Sequence, residues 1–396
     1  MRRAARLTGI VVAAALALPA AALAHANLVS TTPSDHAVLA HAPSRVVVRF
    51  DQDVSVAPGN AAVRNGGVSI LGGRPTARGS TLVIPLRARL PNGDYSVRWS
   101  AVSQDGHIVQ GVLAFGVGLG RPPPVPTLKP SNEVGFGTVF SRWVFYAGLL
   151  VASGLALFDL LVWHPFARAH LRTGWMAIAL AAMFVSSHGL VHASHGGAST
   201  RFGLTIDIAQ AIAAAGAAAA AIAVADRSAA PFGIVLSLLL LPVPTVAGHA
   251  LDPGRSWLEV PIDLFHFVAA AVWIGGIFAL ALVVPREDAS PDVFERAMRR
   301  FSTLAVASVV TVAITGGLRA IAELSSVSQL WTTSYGRSLL AKTAIFAVLI
   351  GLGALSRASV REGVGRLRNV VRVELALAAG LVVAVAILTS LRPGRI

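Results

Sequence analysis

The residues best suited to chemistry are histidines, and their placement points to metal ligation. His25 directly follows Ala22-Leu23-Ala24. Ahead of it lie Arg2, Arg3 and Arg6, the apolar run Ile10 to Leu18 and a small-residue cleavage motif, the pattern of a secretory signal. Cleavage after Ala24 makes His25 the first residue of the mature chain. Such a residue offers two nitrogens, the α-amine and ring Nδ1, which close one chelate ring. The amine has a reference pKa of about 7.7–8, so a metal displaces its proton at little cost. A carboxylate and an imidazole follow in Asp105-Gly106-His107, at the end of the strand-like run that includes Trp99. In an extended segment, positions two apart face the same way, and Gly106 leaves room for close approach. Amine, imidazole and carboxylate donors together suit tetragonal Cu(II).

The elements needed to position these groups are short strands. Arg45 to Phe50, Thr81 to Pro85, Asp94 to Ala101 and Ile108 to Val117 are β-rich runs. Breaks at Pro58-Gly59, Gly66-Gly67, Gly72-Gly73 and Pro91-Asn92-Gly93 separate them. Even turn spacing argues for a sandwich or barrel, with Trp99 in its core. A Pro-rich stretch, Gly120-Arg-Pro-Pro-Pro-Val-Pro126, then forms a semi-rigid spacer within a linker at 119–132. Beyond it the chain is overwhelmingly apolar, which accounts for much of the 55% hydrophobic content. Eight transmembrane helices are expected at about Phe136–Trp163, Gly174–His192, Leu204–Ala225, Phe232–His249, Pro261–Val284, Thr303–Ile321, Leu339–Leu355 and Val373–Leu391. Pro242 and Pro244 interrupt the fourth.

The net charge of +14 would suit a polyanion partner, but its distribution argues for topology instead. With the N-terminal domain exported, alternate loops carry Arg168 and Arg172; Arg227; Arg286, Arg296, Arg299 and Arg300; and Arg357, Arg361, Arg366, Arg368 and Arg372. The opposite loops carry Arg201, Arg255 and Arg337, with Arg392 and Arg395 on the tail. This is a positive-inside bias, and it needs no nucleic acid. On the same topology His188, His192 and His195, spaced i, i+4, i+7, end the second span on one face; His249 ends the fourth and His266, with Asp263 on its face, begins the fifth. Five imidazoles from three helices therefore gather at the membrane face that bears the exported domain, where ionisable groups mark a site. His164 and His170 fall on the other side and read as loop residues. Gly275-Gly276 reads as a close helix contact. Lys342 pairs with an acid such as Glu323 or Asp263, or snorkels.

Two resemblances gather these features. His25-Ala-Asn-Leu-Val-Ser-Thr-Thr-Pro33 and Trp99-Ser-Ala-Val-Ser-Gln-Asp-Gly-His107 resemble the two ends of CopC, a periplasmic copper-binding family with a small Greek-key (Ig-like) β-sandwich. The resemblance covers 25–118 and implies Cu(II) ligation by His25, Asp105 and His107. Family members with a Met-rich Cu(I) site differ from this chain, whose Met1, Met176, Met183 and Met298 all lie outside 25–120 and which has no Cys. The membrane half resembles CopD, through Asp263-Leu-Phe-His266, Ala269-Ala-Ala-Val-Trp273-Ile-Gly-Gly276, Arg300-Phe-Ser302, Thr315-Gly-Gly317 and Tyr335-Gly-Arg-Ser-Leu-Leu-Ala-Lys342. The whole chain is thus similar to YcnJ-like CopC–CopD fusions. That implies the division 1–24 signal peptide, 25–118 copper-binding sandwich, 119–132 linker and 133–396 polytopic domain in a bacterial cytoplasmic (inner) membrane.

Copper is the expected ligand, the lipid bilayer the expected surroundings, and other copper-homeostasis proteins the expected partners. Capture of Cu(II) outside, with copper passed to or across the membrane domain in uptake, is the leading reading. Resistance by sequestration without import is its alternative. An intramembrane haem or copper redox protein is another, disfavoured because histidines crowd one face where haem needs facing pairs at two depths. A copper oxygenase is disfavoured because Asp105 takes up coordination space. No GxxxxGK[ST] signature is present, and no enzymatic activity is expected.

Overall fold

In a computed structural model the described residues run from 26 to 391, except 66, 105, 107, 127, 129–135, 168–169, 195–199, 252–255, 288, 325 and 360–363. The signal segment, His25, Asp105, His107, His195, Arg392 and Arg395 therefore lie outside them, and of His249 only the backbone is described.

The N-terminal part is two packed sheets. Its strands are β1 (Leu28–Thr32), β2 (Ala37–Leu39), β3 (Arg45–Phe50), β4 (Ser55–Val56), β5 (Ala61–Arg64), β6 (Val68–Ser69), β7 (Thr76–Arg78), β8 (Thr81–Pro85), β9 (Gly93–Val102) and β10 (Ile108–Val117). One sheet has the order β1-β3-β8-β7; the other has β2-β10-β9-β5-β6, with β4 also on β9. Alternation builds the core. Val46, Val48 and Phe50 point inward from β3 while Arg45 and Arg49 face out, and Leu82 and Ile84 do the same on β8. They meet Tyr95, Val97, Trp99, Leu113 and Phe115 of the second sheet. Burying each large side chain stabilises the sandwich by about 1.5–3 kcal/mol. Trp99 lies edge-on to Phe50 with ring centres 5.5 Å apart, and a Cβ at Gly111 would strike its indole. Trp99 is thus a core residue, as the sequence suggested.

The four longest expected strands coincide with β3, β8, β9 and β10 to within a residue or so. β9 and β10 pair as a hairpin whose register runs from Ile108↔Val102 to Val117↔Gly93, and the expected common facing of Asp105 and His107 falls on residues outside the described ones. The Gly106 N–H donates to the Ser103 carbonyl, and Gly106 has φ +79°, a left-handed conformation natural for glycine. Where the linker begins, the Arg121 guanidinium grips the Asp94 carboxylate at 2.9 Å and 3.4 Å.

Eight helices among the described residues are long and apolar enough to cross a membrane: α1 (Phe136–Ala167), α2 (Gly174–His192), α3 (Arg201–Ala225), α4 (Arg227–Ala247), α5 (Glu259–Arg286), α6 (Pro291–Glu323), α7 (Ser334–Ala354) and α8 (Val371–Leu388). The chain is a multi-pass membrane protein. α1, α2, α4 and α5 form the packed centre, whereas α6 and α7 expose most of their surface. α6 begins at Pro291 rather than Thr303, so Arg296, Arg299 and Arg300 ride on helix, not loop. α4 is broken, as its prolines required: a helix over Ala230–Leu239 gives way to a turn and a short helix over Val243–Ala247. The Ser153 hydroxyl of α1 donates to the Ser237 carbonyl at this break, satisfying backbone freed by the kink. The centre is closed by small residues. A Cβ at Gly154 or Gly275 would overlap the other's backbone, and one at Gly276 would enter the Phe301 ring. π-helical turns at Asp159–Trp163 and Ala279–Val283 interrupt α1 and α5.

Candidate metal sites and the interdomain contact

Two pinned points flank the N-terminal candidate site. Ala26 is buried in the sandwich, and Asn27 is held to Asp51 twice, its N–H donating to Oδ1 and its Nδ2 to Oδ2, each at 2.8 Å. Two residues further on, the Asp53 carbonyl accepts from Gln104 Nε2 at 3.3 Å. Asn27 and Gln104 are therefore both tethered to the 51–53 segment, while His25, Asp105 and His107 lie outside the described residues. Residues two apart in an extended chain are about 7 Å apart.

Gln104 also joins the sandwich to the helices. Its carbonyl accepts the Phe202 N–H at 2.9 Å, and its Oε1 accepts the Arg201 N–H at 3.1 Å. The first N–H groups of a helix have no partner within it. Gln104 satisfies two of them in α3, while Thr200 Oγ1 accepts the third, from Gly203, at 3.0 Å. Gly106 makes the approach feasible, since a Cβ there would lie inside the Phe202 ring. That ring carries the Arg142 guanidinium 5.7 Å from its centre, and Arg142 also donates to the Thr389 carbonyl, binding α1 to the end of α8. Arg201 reaches to the Gly248 and Leu251 carbonyls at 2.7 Å and 3.2 Å, the stretch that holds His249.

Of the five candidate histidines, His188, His192 and His266 have described side chains, and the first two come together. His188 and His192 approach with Nε2 atoms 3.0 Å apart. Two nitrogens each about 2.0–2.1 Å from one ion would be separated by a similar distance. Both rings are exposed, however, and extend the outward stripe of Ile178 and Val185 on α2. They sit on the rim of the bundle, not in its interior. His266 stands apart on α5. Its Nδ1 lies 2.9 Å from Thr315 Oγ1 on α6, and Thr315 itself donates to the Thr311 carbonyl at 2.6 Å. The hydroxyl therefore accepts from Nδ1–H, which leaves Nε2 with a lone pair. Asp263, one turn away, is paired with Arg319 of α6 and not with Lys342. Among the described residues no three His, Cys, Asp or Glu side chains converge as a metal cage.

The other end of the bundle holds a cluster that the sequence reading passed over. Asp159 on α1 is 2% exposed. Its Oδ2 lies 2.6 Å from His170 Nδ1 and its Oδ1 accepts the Leu171 N–H at 2.7 Å. The His164 ring stacks on His170, centres 4.3 Å apart and planes 9° apart. The hydrogen bond from Asp159 raises the His170 pKa above its usual value, against the pull of burial. These two histidines are not ordinary loop residues. The available signal was Asp159 itself, a carboxylate inside an apolar span.

A two-sheet domain docked by its hairpin turn on a multi-pass helical bundle defines the class. The family model of the CopC domain matches residues 28–118, and that of copper resistance protein D matches 295–388. The chain belongs to the CopC–CopD type of copper transport and resistance proteins. It is 26% identical over 411 residues to the copper transport protein CutJ of Bacillus subtilis (strain 168), spanning 94% of this chain and 75% of that one. Copper resistance protein C of Xanthomonas campestris pv. juglandis is 30% identical over 119 residues, 28% of this chain and 92% of its own. The crystal structure of CopC from Methylosinus trichosporium OB3b is similar at 27% identity over 26% of this chain and 100% of that chain, with a TM-score of 0.21.

Proposed function

We propose that this protein takes up copper: the sandwich captures Cu(II) outside the cytoplasmic membrane and delivers it to the helical bundle. His25, through its amine and ring, supplies two donors, and Asp105 and His107 supply the others. The donor chemistry fits Cu(II), because the sandwich contains neither Cys nor Met as a soft ligand. The signal segment and the arginine asymmetry support an external sandwich. The observation that carries the reading is the docking of Gln104. Gln104, next in sequence to Asp105, caps α3, so the sandwich meets the bundle at a residue adjoining a proposed ligand. Short tethering of donor to acceptor keeps their effective concentration high. His188, His192, His195, His249 and His266 are the proposed receiving groups, and the exposed pair His188–His192 is the most accessible first stop.

Cellular copper in a deletion strain tests the direction. Uptake requires the strain to hold less copper than wild type when copper is limiting. A strain that instead holds normal copper at limitation, and more than wild type at excess, would make this a resistance protein that sequesters or excludes the metal. CutJ is named a copper transport protein, and the similarity over 94% of this chain favours transport.

A further inference from the structure

The bundle end remote from the sandwich holds a cationic cavity that the copper reading does not use. Its volume is about 400 Å³, within the range of small-molecule sites, about 300–1,000 Å³. Its wall includes Trp163, His170, Arg172, Arg227, Glu287 and Ser290. The polar members come from the α1–α2 connection, the start of α4 and the α5–α6 connection, so one occupant would touch three helix junctions. Two arginines face one glutamate, which leaves the wall positive before His170 is counted.

The polar groups are placed by contacts among themselves and behind the wall. The Glu287 carboxylate is 7% exposed; its Oε1 accepts the Arg172 N–H at 2.8 Å and lies 3.9 Å from Arg172 Nε. Arg227 Nη1 donates to the His170 carbonyl at 3.5 Å, which lays that guanidinium beside the histidine. His170 Nδ1 is held by Asp159 at 2.6 Å, and the raised pKa favours the imidazolium, whose Nε2–H is a donor. Ser290 is the N-cap of α6 and makes no side-chain bond to that helix, whose first N–H groups have no partner within it. The wall carries no Met, and the chain has no Cys. Guanidinium, imidazolium and hydroxyl donors suit an oxyanion instead of a metal. Guanidinium groups match phosphate oxygens with paired N–H donors. Basic pockets between transmembrane helices at one membrane face take lipid headgroups, and Trp163 is of the type enriched at that interface.

We propose that this cavity binds a phosphate group, as the phosphodiester of an anionic phospholipid headgroup or as free phosphate, through Arg172, Arg227, His170 and Ser290. The bound group ties the start of α4 and the α1–α2 connection to the head of α6. α6 exposes most of its surface, so this tie adds to its hold on the packed centre. The inference stands apart from the uptake reading, because it assigns no step to copper.

The test uses the full-length protein in nanodiscs of phosphatidylcholine alone, or of phosphatidylcholine mixed with phosphatidylglycerol, whose headgroup is anionic. Phosphatidylglycerol should raise the melting temperature, and native mass spectrometry should find a single such lipid retained per chain. Arg227→Gln should weaken retention about tenfold or more, as expected for a hydrogen bond between charged groups. Ser290→Asp keeps a good N-cap for α6 but sets a negative charge at the cavity. It should lose retention while helix content and melting in pure phosphatidylcholine stay at wild-type values. Arg299→Gln removes a cation of α6 that pairs with Glu295 and lies outside the wall, and it should retain lipid like wild type. In a second arm, millimolar inorganic phosphate is added to protein in pure phosphatidylcholine. Stabilisation there that Arg227→Gln and Ser290→Asp abolish would uphold the site and identify free phosphate as a sufficient source. The site is overturned if neither phosphatidylglycerol nor phosphate stabilises the wild type, or if Arg227→Gln and Ser290→Asp both respond like wild type. It is equally overturned if Arg299→Gln weakens retention as much as Arg227→Gln, since the attraction would then be that of general surface charge.

Discussion

The two ends of the helical bundle both carry histidines but hold them differently. At the sandwich end, His188 and His192 are exposed and, among the described residues, their ring nitrogens meet each other, and His266 leans on a neutral hydroxyl. At the remote end, His170 is fixed by a carboxylate that is 2% exposed and covered by a second imidazole. The rings of the exposed pair are open to water, whereas a ring held by a buried carboxylate is fixed in orientation. The sandwich end is also the end at which charge is compensated within the helices, by Asp263 and Arg319.

That compensation is the easiest part of the comparison to break, and it should give the largest effect on stability. Arg319→Ala would leave Asp263, 2% exposed, as an unpaired buried carboxylate. Removing one partner of a buried pair costs about 3–5 kcal/mol; here the lower figure applies, because Arg319 keeps 32% of its side chain exposed. The variant should show a markedly lower melting temperature in detergent, and adding Asp263→Asn should restore much of the loss. Equal melting of wild type and Arg319→Ala would mean that the carboxylate finds another partner or a proton.

A smaller disruption targets the link between donor and bundle. Gln104→Ala removes the Oε1 acceptor of the Arg201 N–H and the Nε2 donor to Asp53, while the backbone acceptor of Phe202 remains. Only the Arg201 bond crosses to the helices, and its loss, about 0.5–1.5 kcal/mol, shifts the docking equilibrium by roughly two- to tenfold. Hydrogen exchange at the amides of residues 201 and 202 should quicken accordingly. Copper transfer from sandwich to bundle should slow, with Cu(II) affinity of the sandwich unchanged. Unaltered exchange at those amides would show that the turn is held by the Gly106–Phe202 contact instead. A complementary change extends the mature chain by one residue before His25. It should displace the amine and alter the Cu(II) EPR spectrum without touching the helices; an identical spectrum and affinity would exclude the chelate.

How much was legible in the sequence depends on which interactions are local. The β strands were readable because alternation and turn residues act within a few positions, as in Arg45 to Phe50. The spans were readable because hydrophobic length is a property of the segment alone. The Gly275-Gly276 contact could be suspected, since small residues in a span have few other uses, yet its partner Gly154 could not. The facing of Asp105 and His107 lies outside the described residues, and so do His195 and the His249 side chain, which leaves His188, His192 and His266 to compare. Helical spacing fixes which residues share a face, here His188 and His192, but not whether that face looks inward. The stripe through Ile178 and Val185 shows that it looks outward. Asp159 and His170 are 11 positions apart across a helix end, and only the fold makes them neighbours at 2.6 Å.

The finest test of the contrast concerns what supports His266. The Thr315 hydroxyl gives its proton to the Thr311 carbonyl at 2.6 Å, so toward His266 Nδ1 at 2.9 Å it can only accept. On this geometry the proton sits on Nδ1 and Nε2 carries the lone pair that the proposed receiving group would use, with a neutral partner where His170 has the Asp159 carboxylate. Thr315→Val preserves shape and removes the acceptor. The loss should be about 0.5–1.5 kcal/mol, less than for a charged partner at about 1.5–3 kcal/mol. The tautomer should become mixed, which the nitrogen-15 shifts of the His266 ring would report. Copper accumulation should fall by a few-fold at most, well short of the effect of His266→Ala. If Thr315→Val abolished accumulation as completely as His266→Ala, the hydroxyl would be more than a support. The contrast between a ring resting on a neutral hydroxyl and one resting on a buried carboxylate would then fail.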